Sequence, residues 1–189
     1  RFAAELGFDI EPATRTAIIA AAPGLSRLSA ERVASELTRM LTGRQPGRAL
    51  RLLYNAGLLH EWLPELEALP GTPQPPQFHP EGDVWEHTML MLELNRWPDP
   101  VLGWAILLHD IGKPATHEYS DGRDRFPRHE RESAVKAEEI LRRLKFSRNF
   151  TEQVVECVQN HMRFMHVRQM RQSSLRRLIG RSTFGLELE

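Results

Sequence analysis

The chain has 189 residues, and its 25 Lys and Arg residues balance its 25 Asp and Glu residues. With 41% hydrophobic and 26% charged residues, the composition is that of a globular protein with one or two domains, which excludes a disordered or collagen-like chain. No apolar run approaches the roughly 20 residues that a membrane helix needs, and no signal peptide is evident, so we expect no membrane partner. The single cysteine, Cys157, excludes an internal disulfide framework and favours a reducing, cytoplasmic location.

The first seventy residues carry helical signals that end at glycine or proline. They predict helices over Ala13–Ala22, from a cap at Ser29 through Leu41, and over Gly47–Asn55, followed by a short segment over Pro64–Leu69. Five prolines and two glycines in Pro70–Gly82 exclude an interior helix or strand there. We therefore divide the chain into a helical neck or body segment (1–70), a Pro-rich linker (71–82) and a second domain (83–189).

The second domain is also predicted to be helical. Asp83 is a suitable cap for its first helix, which we expect to run to about Arg96. Asp121-Gly122 predicts a turn with a small hairpin. No alternation of period two is long enough to build a sheet, so the fold class is all-α. Further helices are predicted over Val101–Ile111, Glu130–Lys145, Phe150–Met162 and Ser173–Gly180.

The charges of this domain are unevenly distributed. Residues 79–146 carry ten basic and thirteen acidic side chains, whereas Arg163–Arg181 contains six arginines and no acidic residue. This pattern favours a cation site beside a surface that attracts anions. The alternative is compositional, because 22 of the 25 basic residues are Arg, which a GC-rich genome also produces.

One helix carries a charged pair that needs an explanation. Val101–Ile111 is apolar on nearly all sides and should therefore be buried, yet its last turn contains His109-Asp110. Burial disfavours the charge of a carboxylate unless it is paired, and the negative end of the helix dipole repels it. A bound cation removes both penalties. Lys113, one turn later, is suited to hold either the carboxylate or a phosphate oxygen.

Three more histidines lie on apolar faces or at a helix start. His87 and His161 share the apolar stripes of their helices, and His129 stands beside Arg128 where free helix N–H groups favour an anion. Imidazole is the commonest metal ligand, so the set predicts a divalent cation such as Mg²⁺, Mn²⁺, Ni²⁺, Co²⁺ or Fe²⁺. The alternative for each single histidine is a core residue with its hydrogen bonds satisfied. His60, His79, His117 and His166 are interpreted as surface residues.

These residues resemble the HD superfamily of metal-dependent phosphohydrolases. The resemblance implies that His87, His109 and Asp110 are metal ligands, that His129 and His161 serve a second metal or the phosphate, and that Lys113 lies on the phosphate side. Many members carry a later Asp ligand, whereas this chain has no Asp after His161. The matching motifs are Glu86-His87-Thr88, Leu107-Leu108-His109-Asp110-Ile111-Gly112-Lys113, Phe126-Pro127-Arg128-His129-Glu130 and Asn160-His161.

A second resemblance rests on four stretches of the chain: Arg1–Phe8, Ser29–Leu37, Ala56–Leu59 and Gln77–Val84. With these stretches, the first half is similar to the neck of bacterial tRNA nucleotidyltransferases and poly(A) polymerases. This resemblance implies an RNA-binding segment followed by an HD domain, with tRNA or another RNA 3′ end as partner. The glycine-rich turn and Asp-x-Asp pair of that family's nucleotide-adding head are absent, so we expect a fragment that alone adds no CMP or AMP.

The leading hypothesis is a hydrolase for phosphoesters such as 2′,3′-cyclic phosphates or 2′-nucleotides. In this hypothesis Asp110, Lys113 and His129 are catalytic, and Arg128 and Lys113 bind the phosphate of the nucleotide. One alternative is a scaffold whose arginines bind tRNA phosphates, with binding that weakens steeply with salt. Another is a free-standing HD nucleotidase. The sequence leaves the natural substrate, the metal and the oligomeric state open.

Overall fold

The regular secondary structure of the described part of the chain is helical apart from one hairpin, which confirms the all-α class. A computed structural model describes residues 1–163, 167, 170–181 and 183–187. Within these ranges, no helix has the length and apolar character required to cross a membrane. The helices are α1 Phe2–Leu6, α2 Pro12–Ala21, α3 Ala30–Leu41, α4 Pro46–Asn55, α5 Val84–Leu94, α6 Pro100–Leu108, α7 Lys113–Thr116, α8 His129–Arg143, α9 Arg148–Asn160, α10 Gln172–Ile179 and α11 Phe184–Glu187, with 3-10 helices over Ala22–Arg27 and Pro64–Ala68.

Side-chain caps explain why several predicted helices start where expected. Ser29 accepts a hydrogen bond from the backbone N–H of Arg32, and Asp83 accepts one from Glu86 at 2.9 Å. The hairpin pairs β1 (Glu118–Ser120) with β2 (Arg123–Arg125) around the expected Asp121-Gly122 turn. Both turn residues have positive φ, as a tight hairpin turn of this kind requires. Helix α1 was not predicted.

The prediction of a helix over Val101–Ile111 was wrong at its end. Helix α6 stops at Leu108, after which the chain turns: Ile111 N bonds to Leu108 O, and Lys113 N to Asp110 O at 3.0 Å. Close packing against α8 holds this turn, because a Cβ on Gly112 would lie 2.6 Å from Ser133 N. His109 and Asp110 therefore project from a turn at the end of α6 rather than from the helix itself.

Helix α6 lies at the centre of a single hydrophobic core. Every residue from Val101 to Leu108 is buried, and the helix contacts α3, α5, α8 and α9. Trp104 is fully buried and donates its indole N–H to the Thr38 hydroxyl at 2.9 Å. One cluster of buried side chains thus includes residues from both halves of the chain. The division at residues 70 and 83 stays a prediction.

Helices α4 and α5 join the two halves directly. The Arg51 guanidinium binds both carboxylate oxygens of Glu86 at 2.6 Å, and the backbone N–H of Arg48 donates to Glu93. Gly47 permits this contact, because a Cβ there would lie 2.8 Å from the backbone oxygen of Met89. The start of α4 can approach α5 so closely only without a side chain.

Residues 71–82, called the connecting segment below, contain no helix or strand, as predicted. Hydrogen bonds nevertheless fix both of its ends. The backbone N–H of Gly71 donates to the Asp83 carboxylate at 2.7 Å, and Val84 N donates to Thr72 O at 3.1 Å. The segment therefore follows the surface of the second half closely and brings its polar side chains to the end of α6.

We expect Gly47→Ala to lower the free energy of unfolding by about 1–3 kcal/mol, because the added methyl group overpacks the α4–α5 contact. Chemical denaturation followed by circular dichroism measures this change. Gly24→Ala is the control, because nothing lies within 4 Å of a Cβ at that position. Equal stability of the two variants would contradict the close approach of α4 to α5.

Candidate metal centre

The predicted metal ligands meet around the carboxylate of Asp110, which is only 2% exposed. One oxygen, Oδ2, lies 3.0 Å from His109 Nε2 and 3.9 Å from His87 Nε2. The other, Oδ1, lies 3.3 Å from His129 Nε2 and 3.7 Å from His161 Nε2. Four histidines that are up to 74 positions apart in the chain therefore aim the same ring nitrogen at one buried acid.

Backbone carbonyls determine the tautomer of three of these rings. Each of these histidines lies at a helix end, and its Nδ1 contacts the carbonyl oxygen three residues earlier. A carbonyl oxygen only accepts, so Nδ1 carries the proton and Nε2 of the neutral ring keeps a free lone pair. The pairs are His109 with Ile106 at 2.8 Å, His129 with Phe126 at 2.9 Å and His161 with Val158 at 2.7 Å.

A carboxylate from the connecting segment orients the fourth ring. Glu81 Oε1 lies 2.5 Å from His87 Nδ1 and 3.1 Å from His79 Nδ1. Burial alone would raise the pKa of Glu81, but hydrogen bonds from its own backbone N–H and from the two histidines lower that pKa to about 2. The ionised Glu81 accepts from His87, and such an outer carboxylate is a common support of a ligating imidazole.

The prediction that His79 is a surface residue was wrong. Its side chain is 22% exposed, and its ring packs edge-on against His87 with 4.6 Å between ring centroids. The bond to Glu81 accounts for this position, because it draws the loop histidine towards α5. His60 and His117 are exposed, as predicted, and His166 lies outside the described residues.

The electrostatics favour neutral imidazoles at His87 and His161 beside an ionised acid. Burial, followed by the proximity of His109, lowers the pKa of His161 to about 3, and the same two causes lower the pKa of His87. Burial alone would raise the pKa of Asp110, but His109, His129 and Lys113 outweigh it and hold that pKa well below its usual range. At neutral pH the Nε2 atoms of His87 and His161 therefore carry free lone pairs, and the Asp110 carboxylate is ionised.

This arrangement fits a divalent cation. Asp110 Oδ1 is buried and has no hydrogen-bond partner among the described residues, and the Nε2 atoms of His129 and His161 face each other at 3.2 Å. Lone pairs in such contact are unfavourable unless a cation lies between them. Two possible ligand groups share Asp110: one adds His87 and His109, and the other adds His129 and His161. Imidazole with carboxylate suits a divalent transition metal.

Lys113 links Gln74 to the Asp110 carboxylate. The Lys113 ammonium is 6% exposed, lies 2.7 Å from Asp110 Oδ2 and donates to Gln74 Oε1 at 2.5 Å. Of the two roles left open for Lys113, the structure shows the contact with the carboxylate. Arg128 is exposed with φ of 59°, and across the described ranges its side chain makes no hydrogen bond or ion pair with the cluster. Its phosphate role stays a prediction.

Sequence reasoning missed Gln74, His79 and Glu81 because proline content assigned their segment to a linker. One usable signal was present: these are polar residues between prolines, immediately before the Asp83-capped helix that carries His87.

A cavity of about 500 Å³ opens onto His87, His109 and His161. Its remaining wall is largely apolar and includes Met91 and Ile106.

Comparison with known proteins places this centre in a family. A family model of the HD domain matches residues 84–181, which is more than half of the chain. The chain belongs to the HD domain family. The matched range contains Asp110, Lys113 and all four inward-facing histidines, whereas Gln74 and Glu81 precede it. A second family model, described as "Probable RNA and SrmB- binding site of polymerase A", matches residues 7–69.

Several relatives extend the similarity over both halves. The chain is 35% identical over 186 residues to the Multifunctional CCA protein of Alkalilimnicola ehrlichii, an alignment that covers 95% of this chain and 45% of the relative. It is 32% identical over 186 residues to the protein of that name from Xanthomonas campestris pv. campestris, with coverage of 94% and 44%. The protein of the same name from Pseudomonas syringae pv. syringae is 40% identical over 136 residues, with coverage of 68% and 32%. The chain thus spans less than half the length of these relatives.

We expect the metal-free protein to lose stability as the pH falls from 7 to 5. The unfolded chain protonates His161 near its ordinary pKa of 6.5, whereas the folded chain does not until about pH 3, so stability is full above pH 6.5 and falls on acidification. His161→Gln should reduce this slope by up to about 1.4 kcal/mol per pH unit, and screening by solvent makes the reduction smaller. Glu81 does not contribute in this window, because its unfolded pKa is 4.5.

Denaturant unfolding in the presence of a chelator at pH 7, 6 and 5 measures the slope. His60→Gln is the matched control, because that side chain is 71% exposed and Glu67 raises its pKa, so its own contribution has the opposite sign. The control should keep a slope at least as steep as that of the wild type. An unchanged slope in His161→Gln would contradict the burial of a neutral imidazole in the centre.

We expect Asp110→Asn to abolish stoichiometric binding of divalent metal, because the amide replaces the charged carboxylate that both ligand groups share. Elemental mass spectrometry of purified protein measures the metal content. Asp9→Asn is the control, because its side chain is fully exposed. Since the variant also leaves Lys113 without its counter-charge, circular dichroism must show that it is folded. Full metal content in folded Asp110→Asn would refute the site.

Proposed function

We propose that the HD domain hydrolyses phosphoesters with a divalent metal. The single observation that carries this proposal is the buried Asp110 carboxylate, towards which four imidazole Nε2 atoms are aimed. A divalent cation in such a site supplies polarisation of a phosphoryl oxygen and lowers the pKa of a water molecule. Membership of the HD family supports the same chemistry.

The residues of the chain have distinct roles in this proposal. Asp110 with His87 and His109 holds one cation, and His129 and His161 hold a second cation or contact the phosphate. Lys113 keeps the Asp110 carboxylate in place through its 2.7 Å contact. An ammonium group carries three protons, so it can also donate to a phosphoryl oxygen. The apolar cavity beside the histidines has room for the organic group of the ester.

We further propose that the substrates are nucleotide esters of the 2′,3′-cyclic phosphate or 2′-phosphate type. Support comes from similarity over both halves to Multifunctional CCA proteins and from the RNA-binding family model on residues 7–69. In the same proposal the chain is the HD-bearing part of a tRNA 3′-end nucleotidyltransferase of the CCA-adding or poly(A) polymerase type. Its first half and its Arg163–Arg181 region would then contact tRNA or another RNA 3′ end.

We expect the protein to release 2′- or 3′-AMP from 2′,3′-cyclic AMP when supplied with Mg²⁺, Mn²⁺, Ni²⁺ or Co²⁺. His87→Gln should lower kcat/KM at least 100-fold, because it removes a ligand nitrogen while keeping the buried Asp110–Lys113 pair. Product analysis by liquid chromatography measures the rate. His60→Gln should match the wild type, because His60 is exposed and contacts Glu67 instead of a residue of the centre. If the wild type hydrolyses the ester no faster than His87→Gln with each of the four metals, the hydrolase proposal is rejected.

A further inference from the structure

Gln74 is a buried polar residue that neither family match includes. It lies in the connecting segment, is 5% exposed, and its carboxamide oxygen accepts a hydrogen bond from Lys113. Because Lys113 also contacts Asp110, the three side chains form a continuous polar chain from the connecting segment into the metal centre. A residue assigned to a linker is thus connected to the candidate metal centre through Lys113.

Chemistry determines the orientation of this carboxamide. An ammonium group has only donors, so the oxygen end of Gln74 must face Lys113. The nitrogen end, bonded to the same carbon, carries two N–H groups. This Nε2 atom is buried and has no hydrogen-bond acceptor in the described part of the chain. A buried donor without an acceptor is unfavourable, so a water molecule or a ligand with an acceptor atom would stabilise it.

The backbone around Gln74 is rigid. Pro73 and Pro75 flank it, and both restrict the dihedral angles of the segment. Thr72 adds two hydrogen bonds, from its hydroxyl to Ala68 O at 2.8 Å and from Val84 N to its own carbonyl. A ligand that binds Gln74 therefore meets a donor that is already ordered, which lowers the entropic cost of binding.

We propose that Gln74 is a phosphate-binding residue of the HD centre. Its Nε2 and the remaining proton of Lys113 donate to non-bridging oxygens of a phosphoryl group, either in the ester or in the phosphate product. This inference rests on the proposed phosphohydrolase function, and it adds a substrate-binding donor from outside the matched HD range. The competing explanation is that Gln74 only positions Lys113.

Two substitutions separate these explanations. Gln74→Met keeps the size of the side chain but removes both polar atoms, so it should weaken phosphate binding about 10-fold or more. Gln74→Met is therefore also made in a Lys113→Met background, where no ammonium remains to be positioned. If Nε2 contacts phosphate, the double variant should bind phosphate more than twofold more weakly than Lys113→Met. If Gln74 only positions Lys113, the double variant and Lys113→Met should bind phosphate equally.

Isothermal titration of the metal-loaded protein with inorganic phosphate measures the dissociation constants. Elemental analysis must show full metal content in each variant, and circular dichroism must show that each is folded, since the loss of the buried Lys113–Gln74 hydrogen bond lowers stability. Gln77→Met is the control, because Gln77 lies in the same segment but is exposed. A double variant that binds phosphate more than twofold more weakly than Lys113→Met supports the proposal. A double variant within twofold of Lys113→Met, or Gln74→Met within twofold of the wild type, overturns it.

The same titration distinguishes failure of this inference from failure of the proposed function. If the wild type and Gln74→Met both take up metal, bind phosphate equally and hydrolyse the cyclic ester, only the proposed role of Gln74 is rejected. Wild-type protein that neither binds phosphate nor hydrolyses the ester would overturn both proposals together.

Discussion

The structure depends on the placement of one carboxylate charge in an apolar interior. Asp110 follows a helix whose residues from Val101 to Leu108 are all buried, so the fold cannot expose the acid to water. An isolated buried carboxylate would be strongly destabilising. The protein surrounds it with one ammonium and four imidazole nitrogens. The arrangement is best understood as a ligand set that a divalent cation completes.

Helix ends produce the geometry of this centre. His109 and His161 directly follow α6 and α9, and His129 is the first residue of α8. At each of these positions a ring nitrogen reaches a backbone carbonyl three residues earlier, which turns the opposite nitrogen towards Asp110. The backbone at a helix start or end thus sets both ring orientation and tautomer, so the geometry of the centre comes from the backbone.

Much of this was readable in the sequence. Caps such as Asp83 and the apolar run of α6 determined where helices lie, and histidines on apolar faces indicated a shared site. The end of α6 was not readable, because its termination depends on the contact of Gly112 with α8. Gln74, His79 and Glu81 were missed for a related reason. Proline content correctly excluded regular structure from their segment, but long-range hydrogen bonds decide where an irregular segment lies.

The position of the connecting segment has a practical consequence for dissecting the molecule. A cut at residue 84, where sequence similarity to the HD domain starts, would retain the five predicted ligand residues. It would also discard the carboxylate that orients His87 and the amide that contacts Lys113. The HD family match therefore starts after two residues, Gln74 and Glu81, that support the candidate metal centre. An excised domain should therefore retain at least the stretch from Thr72 onward.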